Sequence, residues 1–240
     1  MDELENRRPL KSRGSAWARS FAASLAKGGA EPNVISGLSV AFAALGGGCL
    51  LESGYAHGGM RVAELIVAGL CIQGRLVCNL LDGMVAMEHG RGTSAGPIWN
   101  ELPDRFADLF LLVGAGYAAN LSGLHGAAAM GWLAAALAVM TAYVRELGRG
   151  LGFPADFSGP MAKPHRMAAL TAAAAIAAFE PLWGWRGQTL MIALVVIALG
   201  ALATVGRRTL TLAQRLRVQA EQGEEAVAPA APPPPNGAKP

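Results

Sequence analysis

The sequence predicts an all-α integral membrane bundle of six transmembrane helices, preceded by an N-terminal interfacial amphipathic helix. Three observations carry that expectation. Of the 240 residues, 52% are hydrophobic and only 15% are charged, against about 25% charged in an ordinary soluble domain, and the mean hydropathy is +0.34. Uncharged stretches run from Val34 to Leu51, Leu109 to Val144 and Gly187 to Gly206. Each is long enough, singly or folded as a hairpin, to cross a hydrocarbon core that takes about 20 residues per helix. Lys and Arg cluster in alternate connections, as they do in proteins that cross a membrane an even number of times.

Residues 1–30 are basic, with Arg7, Arg8, Lys11, Arg13, Arg19 and Lys27, and they enclose Trp17, Phe21 and Leu25 at i, i+4 spacing. That pattern predicts a short helix lying in the headgroup region. No removable signal peptide is expected, because no apolar run near the start ends in a small-residue cleavage site. Residues 31–210 form the membrane domain, with spans at 34–53, 61–82, 98–119, 126–147, 166–183 and 187–206. Basic residues precede the first span, follow the fourth (Arg145, Arg149, Lys163, Arg166) and follow the sixth (Arg207, Arg208, Arg215, Arg217). The opposite loops hold only Arg61 and Arg186. This bias puts both termini and the 83–97 linker on the cytoplasmic side. Residues 211–240, charged and then Ala/Pro-rich up to Pro232–Pro235, are expected to be disordered. Cys49, Cys71 and Cys78 lie in apolar segments without metal or disulfide spacing and are expected to be small core residues. His57, His89, His125 and His165 likewise show no metal spacing, and nothing in the composition points to nucleic acid.

The second and third spans are unusual. Glu64, Arg75, Asp82, Glu101, Asp104 and Asp108 fall within them or at their ends, and ionisable groups at membrane depth are expensive enough to mark function. Span two closes with Asn79-Leu-Leu-Asp82-Gly83-Met-Val-Ala86. Span three opens with Gly96-Pro-Ile-Trp-Asn100-Glu101-Leu-Pro-Asp104-Arg-Phe-Ala-Asp108. Spacings of three and four put Asn79, Asp82 and Ala86 on one helical stripe and Asn100, Asp104 and Asp108 on another. A short linker can bring the two stripes together. Hard oxygen ligands without His or Cys suit Mg²⁺ or Mn²⁺, ions that commonly bridge a diphosphate. Gly83, Ala86 and Gly96 leave room for backbone and substrate to approach. The plainer reading of each acidic residue is solvation at a helix end, and of each late basic residue a determinant of topology.

The segment 79–104 resembles the signature of the CDP-alcohol phosphatidyltransferases, Asp-x-x-Asp-Gly-x-x-Ala-Arg, eight residues, Gly-x-x-x-Asp-x-x-x-Asp. Asp82, Gly83, Ala86, Gly96 and Asp104 match, and residues 88–95 give the gap its length. Pro32-Asn33-Val-Ile-Ser resembles the family's opening of span one, and Arg145, Lys163 and Arg166 resemble its later basic positions. The departures are Asn79 for the first Asp, Met87 for the Arg and Asn100 for the third Asp. Glu101 and Asp108 each add a carboxylate within a turn, and the variant is similar to a divergent bacterial branch of the family.

The resemblance implies transfer of a phosphatidyl group from a CDP-alcohol to a polar acceptor alcohol with release of CMP, in a bacterial cytoplasmic membrane. CDP-diacylglycerol is the expected donor, and a homodimer is the expected assembly. Carried over by position, Asp82 is the principal metal ligand. Asn79 and Asn100 are weaker ligands or cytidine contacts, Glu101 and Asp108 auxiliary ligands, and Asp104 is both a ligand and the general base. Gly83, Ala86, Gly96 and Asn33 border the substrate, and Arg145, Lys163 and Arg166 form a basic pocket for the acceptor's phosphate. The alternatives are a small CDP-alcohol donor with a lipid acceptor, or a catalytically silent homologue that binds nucleotide or lipid. A transporter fits less well, because the charges cluster at one face and the halves show no inverted repeat.

Overall fold

The computed structural model describes residues 15–88, 90 and 94–227. The expectations for Arg7, Arg8, Lys11 and Arg13, for His89 and for Pro232–Pro235 lie outside the described residues. The described chain is all helical: α1 Ala16–Lys27, α2 Pro32–Tyr55, α3 Gly58–Glu88, α4 Gly96–Leu121, α5 Ala127–Gly150, α6 Lys163–Ala177 and α7 Gln188–Val227, with a 3₁₀ turn at Glu180–Trp183 between the last two. Prolines mark three of the starts, Pro32, Pro97 and Pro164, where a missing N–H is no loss and the fixed φ suits a first turn.

Each expected span falls on one helix, but four of the six, α2, α3, α5 and α7, are long and apolar enough by themselves to cross a membrane. The chain is thus a multi-pass membrane protein by length and composition. α4 and α6 do not meet that measure. The first half of α4 carries Glu101, Asp104, Arg105 and Asp108, too many charges for a lipid-facing segment. Only 15 residues long, α6 ends at Ala177, where the expected span ran to residue 183. Glu180-Pro181 and a left-handed Gly184 turn the chain instead, since Pro disfavours helix in the residue before it. A second correction concerns the tail: α7 continues to Val227, well past the expected boundary at residue 210. No Pro lies between Arg207 and Val227, and Leu, Arg, Gln and Glu, all good helix formers, dominate the stretch.

The core is organised around α2, which packs along both α3 and α4, while α3 and α4 barely touch each other. This works because one face of α2 is made of small residues, Ser36, Ser39, Ala43, Gly46 and Gly47, the pattern that lets helix backbones approach in lipid. At the tightest point a Cβ on Gly47 would lie 2.4 Å from the Phe110 carbonyl oxygen, and one on Gly114 would lie 2.3 Å from that of Gly47. Neither contact can relax by a rotamer change, since backbone meets backbone. Gly114→Val is therefore expected to disperse the bundle, at a cost beyond the ~1–3 kcal/mol of ordinary overpacking. Size-exclusion chromatography of the variant in mild detergent reads this as loss of the monodisperse peak.

Against α3, α1 lays Ala18, Ala22 and Ala26, which share a cluster with Cys78, Leu81 and Val85. Trp17 and Phe21 are exposed on its outer side, at 54% and 50%, while Leu25 is drawn into the edge of that cluster. None of the three cysteines is in a disulfide, and Cys71 and Cys78 are buried.

Candidate active site

Two polar layers occupy opposite ends of the bundle. The end holding the signature segment is built on α3, α4 and α6. Arg75, Asn79 and Asp82 recur at intervals of four and three on α3, so they share one face, and Asp104 and Asp108 share a face of α4. Where these faces meet, Asn79 Nδ2 donates to Asp104 Oδ1 at 2.8 Å. Arg75 Nη2 reaches Asp104 Oδ1 at 3.4 Å and Asp108 Oδ1 at 3.2 Å. From the first turn of α6, Lys163 Nζ donates to Asp104 Oδ2 at 2.5 Å. Asp82 stands beside this group. Ser36 Oγ of α2 donates to its Oδ2 at 2.7 Å, the Gly83 N–H donates to its Oδ1, and both Lys163 and Asp104 are near enough to act on its charge. Asp82 and Asp104 are nearly buried, so these contacts form where water screens little.

One turn farther along α4, Asp108 is enclosed by arginines. Arg166 Nη2 lies 2.7 Å from its Oδ2, and the other terminal nitrogen of Arg166 donates to the Met161 carbonyl and Thr141 Oγ1 at 3.0 Å and 3.3 Å. Arg75 is wholly buried, and its Nε and Nη1 have no hydrogen-bond partner among the described residues. Such donors are costly to leave unmade, so the residue holds its place by charge, between two carboxylates.

The expected site residues thus separate into groups. Asn79, Asp82, Asp104 and Lys163 come together, with Gly83 supplying its N–H. Asp108 and Arg166 form the adjoining ion pair. Glu101 turns aside to Arg145 and to Arg105, the latter at 3.6 Å. Arg145 also engages Glu146 at 2.8 Å and lies over the Phe157 ring. Asn100 is exposed on the first turns of α4, and Ala86 and Gly96 are half-buried without a polar side chain to offer. Asn33 sits one turn before Ser36 on α2. Beside Arg145, a shallow cleft between α5, the 151–162 loop and α7 is lined by Phe153, Asp156, Arg208 and Arg215 among others. Partial burial opposes the charged form of Asp156, but the Ser158 hydrogen bonds and the charges of Arg208 and Arg215 prevail and hold its carboxyl below the ordinary value.

Among the described residues no three Asp, Glu, His or Cys side chains come close enough to hold an ion unaided. The carboxylates of Asp82 and Asp104 suit Mg²⁺ or Mn²⁺ completed by a bound phosphate group, because such ions are commonly held by one or two carboxylates with substrate phosphates, while Asn79 turns its amide nitrogen toward Asp104.

No family model and no curated protein sequence matches this chain. Solved structures do. The crystal structure of Mycobacterium tuberculosis phosphatidylinositol phosphate synthase with CDP-DAG bound superposes with a TM-score of 0.67 at 19% identity, covering 82% of this chain and 94% of that one. The same enzyme in complex with manganese and citrate gives 0.67 at 19% identity, over 81% and 88%. Its apo form gives 0.65 at 19% identity, over 80% and 94%. The fold is that of a phosphatidylinositol phosphate synthase. It is the fold implied by the resemblance read from residues 79–104, and the low identity agrees with a divergent branch. The synthase fold was legible in the sequence through that segment, whereas three parts of the site were not. Ser36 closes a motif quoted for its resemblance and proves to be the partner of Asp82. Arg75 stood out only as a charge at membrane depth; its place four residues before Asn79 was the available signal. Arg105 follows Asp104 directly, and its i+4 spacing from Glu101 was the available signal.

Proposed function

We propose that this chain transfers a phosphatidyl group from CDP-diacylglycerol to the hydroxyl of a polar alcohol, releasing CMP, in phospholipid synthesis. The observation that carries the reading is the convergence of Asn79, Asp82, Asp104 and Lys163 at one end of a synthase fold. The acceptor oxygen attacks the phosphorus bearing the diacylglycerol, the phosphorus–oxygen bond to CMP breaks, and the hydroxyl proton passes to Asp104. A divalent cation, held by Asp82 and Asp104, supplies charge neutralisation on the diphosphate when bound. Lys163 adds a positive charge for the diphosphate, and Arg145 with the neighbouring cleft offers a basic approach for a phosphorylated acceptor. The mycobacterial enzyme's CDP-DAG complex and its manganese complex support the donor and the metal by likeness of fold.

The basic residues Arg145, Arg149, Lys163 and Arg208 cluster at the site end, which supports a cytoplasmic orientation by the positive-inside rule. The exposed Trp17 and Phe21 of α1 support contact with the headgroup layer. A homodimer belongs to the same proposal by resemblance.

Purified protein given radiolabelled CDP-diacylglycerol with Mg²⁺ or Mn²⁺ is expected to release CMP only when a suitable alcohol is present. The panel is glycerol phosphate, inositol phosphate, serine and simple polyols. Release from a small CDP-alcohol with a lipid acceptor instead would reverse the donor assignment. Metal-dependent CDP binding without turnover across both panels would mark a silent homologue.

A further inference from the structure

The ionisable groups at the site end already balance one another. Asp82, Asp104 and Asp108 are nearly buried there. Facing them are Lys163 and Arg105 on Asp104, Arg75 on Asp104 and Asp108, and Arg166 on Asp108. The flanking Glu101 is matched by Arg105 and Arg145, and Glu146 by Arg145 and Arg149. A divalent cation approaching this end therefore meets no net negative charge, and the oxygens that would take it are engaged. Asp104 holds Lys163, Arg75 and Asn79, while Asp82 accepts from Ser36 and from the Gly83 N–H. Of the converging groups, Asn79 brings an amide without charge. A diphosphate changes the balance. Its negative charges can draw the Lys163 ammonium off Asp104, which removes the shortest contact of Oδ2, leaves only the longer one to Arg105 at 3.7 Å, and creates the surplus that a divalent cation answers.

We propose that this chain takes up its divalent cation together with the diphosphate of a CDP compound, and that Lys163 occupies the cation's place until the diphosphate arrives. The inference rests on the reading of the site as one for CDP donors.

Linkage makes it measurable. If CDP raises the affinity for Mn²⁺ by some factor, Mn²⁺ raises the affinity for CDP by the same factor. Equilibrium dialysis of the full chain in lipid nanodiscs, against Mn²⁺ alone, tritiated CDP alone and both together, reads what each compartment retains. Metal–nucleotide complexes free in solution distribute evenly and cancel. CDP is expected to raise manganese retention affinity about tenfold or more, with the reciprocal gain for CDP. Lys163→Met is expected to raise the affinity for Mn²⁺ in the absence of CDP and to shrink the coupling, and Lys163→Arg to preserve it. Tight Mn²⁺ binding that is equal with and without CDP, while CDP itself still binds, overturns the inference and leaves the proposed function standing. Unchanged metal affinity in Lys163→Met also overturns it. Absence of CDP binding at every manganese concentration overturns both.

Discussion

Asp104→Asn is expected to lower CMP release by roughly 10²- to 10⁴-fold, the range that removal of a positioned general base produces. An amide retains the shape of the carboxylate but cannot accept the proton of the acceptor hydroxyl. It also turns a donor toward one of the groups now donating to Asp104, namely Lys163, Asn79 and Arg75. The loss is therefore in turnover and in the order of the site together, and a CDP-binding measurement on the same preparation separates the two. Asp104→Glu, which keeps the base and displaces it, is expected to retain measurable release. An Asp104→Asn protein that turns over at the wild-type rate would remove this residue from the chemistry.

The second large effect lies at the other end of the bundle. There Glu180 is fully buried and paired with Arg61 at 2.7 Å. Its oxygens also accept from the N–H groups of Gly187 and Thr189, each at 2.7 Å. Arg61 reaches the Ser53 carbonyl at 3.0 Å, and Arg186 caps the carbonyls of Gly54 and Ala56 at 3.1 Å and 3.2 Å. One carboxylate thus ties the start of α3 to the turn that enters α7. Glu180→Ala leaves Arg61 as a buried charge without a counter-ion, which costs about 3–5 kcal/mol. The expected result is a strong fall in thermal stability in detergent, with Arg61→Met nearly as severe. The double variant should be less destabilised than the sum of the two, because each deletion removes the same pair. Arg61 and Asp82 are 21 residues apart on α3, about 30 Å along the axis, so turnover per folded molecule should change little.

How much of this could be read beforehand depended on whether a contact was local or distant in sequence. Helical spacing put Asn79 with Asp82, and Asp104 with Asp108, because those relations follow from 3.6 residues per turn. The hydropathy pattern placed each expected span on a helix, four of them long and apolar enough to cross a membrane, since the lipid solvent filters composition strongly. What it missed is long-range. The Ser36–Asp82 bond spans 46 residues and the Arg61–Glu180 pair spans 119. Glu101 and Asp108 were expected to serve as auxiliary ligands, and the structure gives them arginine partners from α3, α5 and α6, besides Arg105 one turn along α4 from Glu101. No periodicity within α4 could have revealed the partners on the other helices. The expectation for α2 and its neighbours was also incomplete. The linker between α3 and α4 suggested a packed pair, whereas the small face of α2 keeps them apart and leaves side chains to bridge at the site end.

The Glu180 tie also orders events at the ribosome. Arg61 enters the bilayer with the first helical hairpin, well before its counter-ion has been synthesised. Until then its guanidinium must be held at the lipid–water boundary. Completion of the turn before α7 supplies the missing carboxylate and releases Arg61 to the interior. A nascent chain halted short of residue 180 therefore carries an unmatched charge at Arg61.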